Sequence, residues 1–169
     1  MSPEHQAALA ELVGRELTEA EIKTLDPLLA DPDDRNDVAA AAVLSVGRTK
    51  IVSRDINARG LAAHYPGGPI PAERVLMALE GFAEAALLAT DPTTKVMGSM
   101  VTRQLRFLDR DGLDFGSPAL RGMVDALVRA KVIDIEQANN LKALAQAPDP
   151  VPVADVSRAL NLAEGRMHL

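Results

Sequence analysis

Apolar residues return every three or four positions along most of this chain, and each run opens on a capping residue and ends at a glycine, proline or acidic turn. That period matches one face of an α-helix, whereas a half-buried strand would alternate every two. The runs are easy to place. Ser2-Pro3-Glu4 opens the first, which carries Leu9, Leu12, Val13 and Leu17. Thr18 and Glu21 form a capping box before Ile22, Leu25, Leu28 and Leu29, with Pro27 inside as a kink or an early stop. After the acidic stretch Asp31–Asp37, with Asp34 or Asp37 as the cap, Val38–Val46 reads as a short alanine-rich helix that Gly47 closes. The longest stripe, Val75, Leu76, Leu79, Phe82, Ala83, Ala86 and Leu87, lies in a helix predicted from Ala72 to Ala89. Thr90-Asp91-Pro92 ends it and caps the next helix, in which Met97, Met100, Val101, Leu105 and Leu108 are assigned to the interior. Ser117-Pro118 and Asp134 open two more, and a final helix spans about Ala154 to Leu162 before a frayed stretch from Gly165.

Composition supports the periodicity. Hydrophobic residues make up 47% of the chain but aromatic residues only 2%, with no tryptophan, so the core is built from Ala, Leu, Val, Ile and Met. Ala and Leu favour helices, while sheets favour β-branched and aromatic side chains. The predicted class is therefore mainly α, with seven or eight helices in an orthogonal bundle and a minor two-stranded β element. Residues 48–56 are ambiguous: the β-branched residues suit a short strand, while Ser53 could cap a helix running to His64. Residues 113–116 read as extended. Tyr65–Pro71 reads as a hinge, and Pro148–Pro152 as a stiff extended linker. These joints divide the chain into 1–66, 67–147 and 148–169, or leave it as one continuous domain.

The side chains narrow the chemistry. A chain without cysteine has no disulfide, thiolate nucleophile or zinc–thiolate site. His5, His64 and His168 lie in separate segments without the spaced partners of a helical metal site. Asp109, Asp111 and Asp114 suggest calcium, but Gly112 arrives too early and Leu120 stands where an EF-hand needs glutamate. No serine sits in a nucleophile elbow, and Gly67-Gly68 lacks the lysine of a phosphate loop. We expect no enzyme, no cofactor and no metal. The net charge of −6 argues against a phosphate backbone as principal partner, so nucleic acid is not expected. The amino-terminal stretch carries acids among its apolar residues and reads as neither a signal peptide nor a membrane span, so no membrane partner is expected.

Two features suggest contacts with other proteins. Arg48, Lys50, Arg54 and Arg59 concentrate basic charge in an acid-poor stretch, either as a solvated face or as a docking strip for an acidic protein surface. The tail around Val156, Arg158 and Leu160 resembles the opening helix of a helix-turn-helix, although few residues follow it. Its plainer reading is a terminal helix docked through Val156 and Leu160.

Several segments, in order, carry a wider resemblance: LxxLVGRELTEAEI, VGRTKIVSRDI, LDFGSPALRGMVDALV, VIDIEQANNLKALAQ and PVPVADVSRALN. Together they resemble small α-helical structural proteins from the morphogenesis modules of tailed bacteriophages and prophages. The resemblance implies a virion component of the tail or head-to-tail region, made in the host cytoplasm and present in multiple copies among other phage structural proteins. An assembly chaperone and a DNA-binding regulator using the carboxy-terminal helix are the alternatives. It implies no catalytic residues.

Overall fold

The computed structural model describes residues 1–31 and 34–165. The acidic turn expected at Asp31–Asp37 thus includes two residues outside that range, Pro32 and Asp33, and His168 and the frayed tail beyond Gly165 lie outside it too. Among the described residues there are nine helices and four short strands. In chain order these are α1 (Pro3–Val13), α2 (Glu19–Leu29), α3 (Asp37–Ser45), β1 (Thr49–Ile51), β2 (Asp55–Ile56), α4 (Ala58–His64) and α5 (Pro69–Leu88). Then come α6 (Pro92–Arg110), β3 (Leu113–Asp114), α7 (Pro118–Arg129), α8 (Ile135–Ala143), β4 (Gln146–Pro148) and α9 (Val153–Ala163). The fold is mainly α, as the periodicity predicts. β1 neighbours β4, and β2 pairs antiparallel with β3 in the register Asp55 to Asp114 and Ile56 to Leu113.

Local capping chemistry sets the helix starts. Ser2, Thr18, Asp91, Ser117 and Asp134 each accept a backbone N–H from the first turn of the helix they open, and Thr18 and Asp134 complete full capping boxes. α3 is capped by Asn36 rather than by Asp34 or Asp37. The ambiguous stretch resolves into two short strands and then α4, which starts at Asn57 and not Ser53. α2 runs through Pro27 and ends at Leu29.

The chain forms two compact units. The first joins residues 1–50 to the chain from Pro148 onward, and the second is the continuous stretch Ile51–Ala147. The expected division at 147/148 coincides with a crossing, whereas the one at 66/67 does not. Ile56, Leu61 and Tyr65 are buried in the second unit's core, so 51–66 belongs there. The expected hinge is instead a turn between α4 and α5: Gly68 donates its N–H to the Tyr65 carbonyl at 2.9 Å, and Gly67 and Gly68 adopt φ of 85° and 87°. α5 therefore begins at Pro69, three residues before Ala72. Nor is Pro148–Pro152 a free linker. Val151 is buried in the first unit's core and its N–H donates to Ser45 Oγ at 2.9 Å.

In the first unit Leu9, Leu25, Leu29, Leu44, Val156 and Leu160 form the core. In the second, Leu61, Val75, Val101, Val124, Leu127 and Leu141 do so, around an apolar void of about 40 Å³. α5 and α6 pack intimately there because residue 98 is glycine. A Cβ at Gly98 would lie 2.3 Å from the Ala86 Cβ.

Candidate protein-interaction surface

The residues of the basic run take different partners within the fold. Arg48 is spent on the fold of the first unit: its guanidinium donates to Asp149 Oδ2 at 3.1 Å, to the Asp149 carbonyl at 3.3 Å and to the Val13 carbonyl at 3.2 Å. Lys50 Nζ stands 3.8 Å from the same carboxylate. In the second unit Arg54 donates to the Leu144 carbonyl at 3.4 Å, while Arg59 is exposed on α4. Asp114, one of the acids considered for calcium, is a backbone organiser. It accepts the Arg54 and Gly116 N–H groups, each at 2.9 Å, and the Ser53 hydroxyl. Those bonds, the Arg54 N–H foremost, hold its carboxyl below the usual range.

The second predicted feature also resolves into structure. Val156 and Leu160 are fully buried in the first unit's core, so they have no surface to offer a partner. Arg158 is the exposed member and pairs with Asp155 at 3.2 Å. Among the described residues, Glu164 and Gly165 follow α9. Arg158 also borders an open groove of about 730 Å³ between α1 and α9, floored by Ala7, Ala8, Ala159 and Ala163.

Sequence reasoning missed the polar network that fastens α9. Arg35 donates to Glu164 Oε1 at 2.9 Å and to Asn161 Oδ1 at 2.7 Å, with Asp37 Oδ1 3.6 Å from its Nε. His5 Nε2 lies 3.0 Å from the same Glu164 oxygen, and the Ser157 hydroxyl bonds Asp37. Buried charge is tolerated when paired in this way, and removing one partner would leave the others exposed to the full desolvation penalty. Partners up to 129 residues apart in sequence leave no local signal.

The surface that stands open is on α5 and α6. Both helices turn residues to the interior void: Val75, Leu76 and Leu79 from α5, and Val101, Leu105 and Leu108 from α6. Helical spacing then directs Ile70, Glu73, Met77, Glu80, Glu84 and Leu88 of α5 away from that core. On α6 it directs Lys95, Val96, Met100, Arg103, Arg106, Phe107 and Arg110 outward or to the flank of the outward side. Every one of these residues is exposed. Seven of the thirteen large hydrophobic side chains found exposed among the described residues belong to these two helices: Ile70, Met77, Leu87, Leu88, Val96, Met100 and Phe107. Met100 and Leu87, assigned to the core from periodicity, are thus on the outside, while Met97 and Met123 are partly buried against the core.

The charges on this face are also unmatched. The nine ion pairs found among the described residues involve neither α5 nor α6. Glu80 and Glu84 stand four residues apart on α5, as do Arg106 and Arg110 on α6, a spacing at which like charges repel. Among the described residues no three His, Cys, Asp or Glu side chains gather as a metal site, and no helix is long and apolar enough to cross a membrane. No protein-family model, curated protein or solved structure matches the chain.

Proposed function

We propose that this chain is a non-enzymatic structural protein of a tailed-phage particle, placed in the tail or head-to-tail region, where it works by helix-mediated contact with other structural proteins. The observation that carries the reading is the outward face of α5 and α6, where exposed large apolar side chains alternate with charges that have no ion-pair partner among the described residues. Exposed large apolar side chains gathered on one pair of helices favour a contact site over a purely solvated face. The sequence resemblance supplies the setting, and Arg158 and Arg59 remain as exposed basic side chains that a neighbouring subunit could meet.

Mass spectrometry of purified, mature particles tests the proposal. Peptides from this chain should be recovered with the particle at a fixed ratio to the major structural proteins. Peptides present in the lysate and absent from mature particles would refute it. Recovery from immature particles alone would assign the chain to assembly and refute a permanent structural place.

A further inference from the structure

We infer that the outward face of α5 and α6 is covered by the same face of a second copy of this chain, with α5 of one protomer lying on α6 of the other. The inference deepens the contact role proposed above by naming the occupant, and it rests on the charge pattern of the two helices. Among the exposed charges, α5 carries Glu73, Glu80 and Glu84 against Arg74, whereas α6 carries Lys95, Arg103, Arg106 and Arg110 against Asp109. One helix is net acidic and the next net basic, so the face is complementary to itself when turned over. Self-complementarity of that kind is what a two-fold interface requires.

α5 and α6 are joined by three residues and run antiparallel, with Gly98 of α6 set against Ala86 of α5. A two-fold axis parallel to the helices lays the acid-bearing α5 of one protomer antiparallel along the base-bearing α6 of the other. The alternative axis, across the helices, stacks α5 on α5 and α6 on α6, opposing like charges on both, and is disfavoured. The result is an antiparallel four-helix packing of helices 20 and 19 residues long. Each helix extends about 30 Å, and two side by side cover roughly 600 Å² in projection, the lower end of what specific interfaces bury per partner.

The test is a charge-reversal exchange on the full chain, read by sedimentation equilibrium and light scattering. The wild type should be a dimer at protein concentrations of about 10–100 μM. E73R/E84R on α5 and K95E/R106E on α6 should each weaken dimerisation by about tenfold or more, since every reversal counts twice across a two-fold axis. The variant carrying all four changes should dimerise within about threefold of wild type, its pairs re-formed with signs exchanged. All four positions are exposed, and circular dichroism verifies that each variant keeps its helices. A wild type monomeric throughout that range, or a dimer indifferent to both reversals, or a fourfold variant no better than either pair, would overturn the inference. This outcome is separable from the particle test: a solution monomer recovered from particles removes the self-association alone, and a dimer missing from particles removes the particle role alone.

Discussion

Substituting alanine at Gly98 separates two physical effects that pull in opposite directions. Helix propensity alone favours alanine over glycine by about 1 kcal/mol in a helix interior. Against that, the new methyl would stand 2.3 Å from the Ala86 Cβ, with the Ala83 carbonyl oxygen at 3.4 Å and the Ala86 Cα at 3.5 Å. Carbon atoms in contact prefer about 3.5–4.0 Å, so α5 and α6 must part by more than about 1 Å or shift along each other. Overpacking of that kind typically costs about 1–3 kcal/mol, and with propensity counted Gly98→Ala should destabilise by about 0–2 kcal/mol. Ala86→Gly alone loses both propensity and one buried methyl, about 2 kcal/mol together. Combined, the two changes move the methyl from one helix to the other. The remaining neighbours lie at ordinary contact distance, the propensities cancel, and the double variant should return to within about 1 kcal/mol of wild type. Urea unfolding followed by helical circular dichroism closes the cycle. A Gly98→Ala protein about 1 kcal/mol more stable than wild type, or a double variant that loses the sum of the single costs, would refute the close-packing argument.

Gly116→Ala would put a Cβ 2.1 Å from the Val52 carbonyl oxygen, a backbone atom that cannot swing aside, and should cost at least about 2 kcal/mol in urea unfolding or abolish soluble expression. Leu160→Ala, in the first unit's core, should cost about 2–5 kcal/mol, whereas Arg158→Ala two residues away should stay within about 0.5 kcal/mol. Equal effects at the two positions would contradict the assigned orientation of α9. Glu21 completes the α2 capping box and is held at a pKa of about 2, first by the Arg15 guanidinium and then by the Thr18 backbone N–H. A carboxyl depressed on folding stabilises above its ordinary value of 4.5, and that stabilisation is lost as pH falls towards about 2. Thermal midpoints of wild type and Glu21→Gln should therefore converge between pH 4.5 and 2, and a constant offset would exclude the linkage.

What the sequence exposed, and what it hid, divides by range. Ser2, Thr18, Asp91, Ser117 and Asp134 were legible as helix starts because a cap is satisfied within three residues of itself. The choice between Ser53 and Asn57 was not, since Ser53 is drawn instead to Asp114, 61 residues away. Periodicity located the stripes on α5 and α6 but widened them too far. Met100 and Leu87 sit beside inward positions on the helical wheel, and hydrophobicity cannot tell a core flank from an outer face. The basic residues 48–59 looked like one feature because they are close in sequence; the partners that separate them, Asp149 for Arg48 and Leu144 for Arg54, are about 90–100 residues distant. The network of His5, Arg35, Asp37 and Glu164 was hidden for the same reason.

The division of the chain into a first unit made of two separated pieces also dictates a schedule for synthesis. Residues 1–50 leave the ribosome without Val151, Val156 and Leu160, which complete the core they share, and the whole of Ile51–Ala147 is made in between. At typical elongation rates that interval is on the order of ten seconds, long compared with the folding of a small helical unit. The later-made stretch is therefore free to fold first, while Leu9, Leu25 and Leu44 wait with one side of their core unfilled and depend on the nascent chain staying soluble.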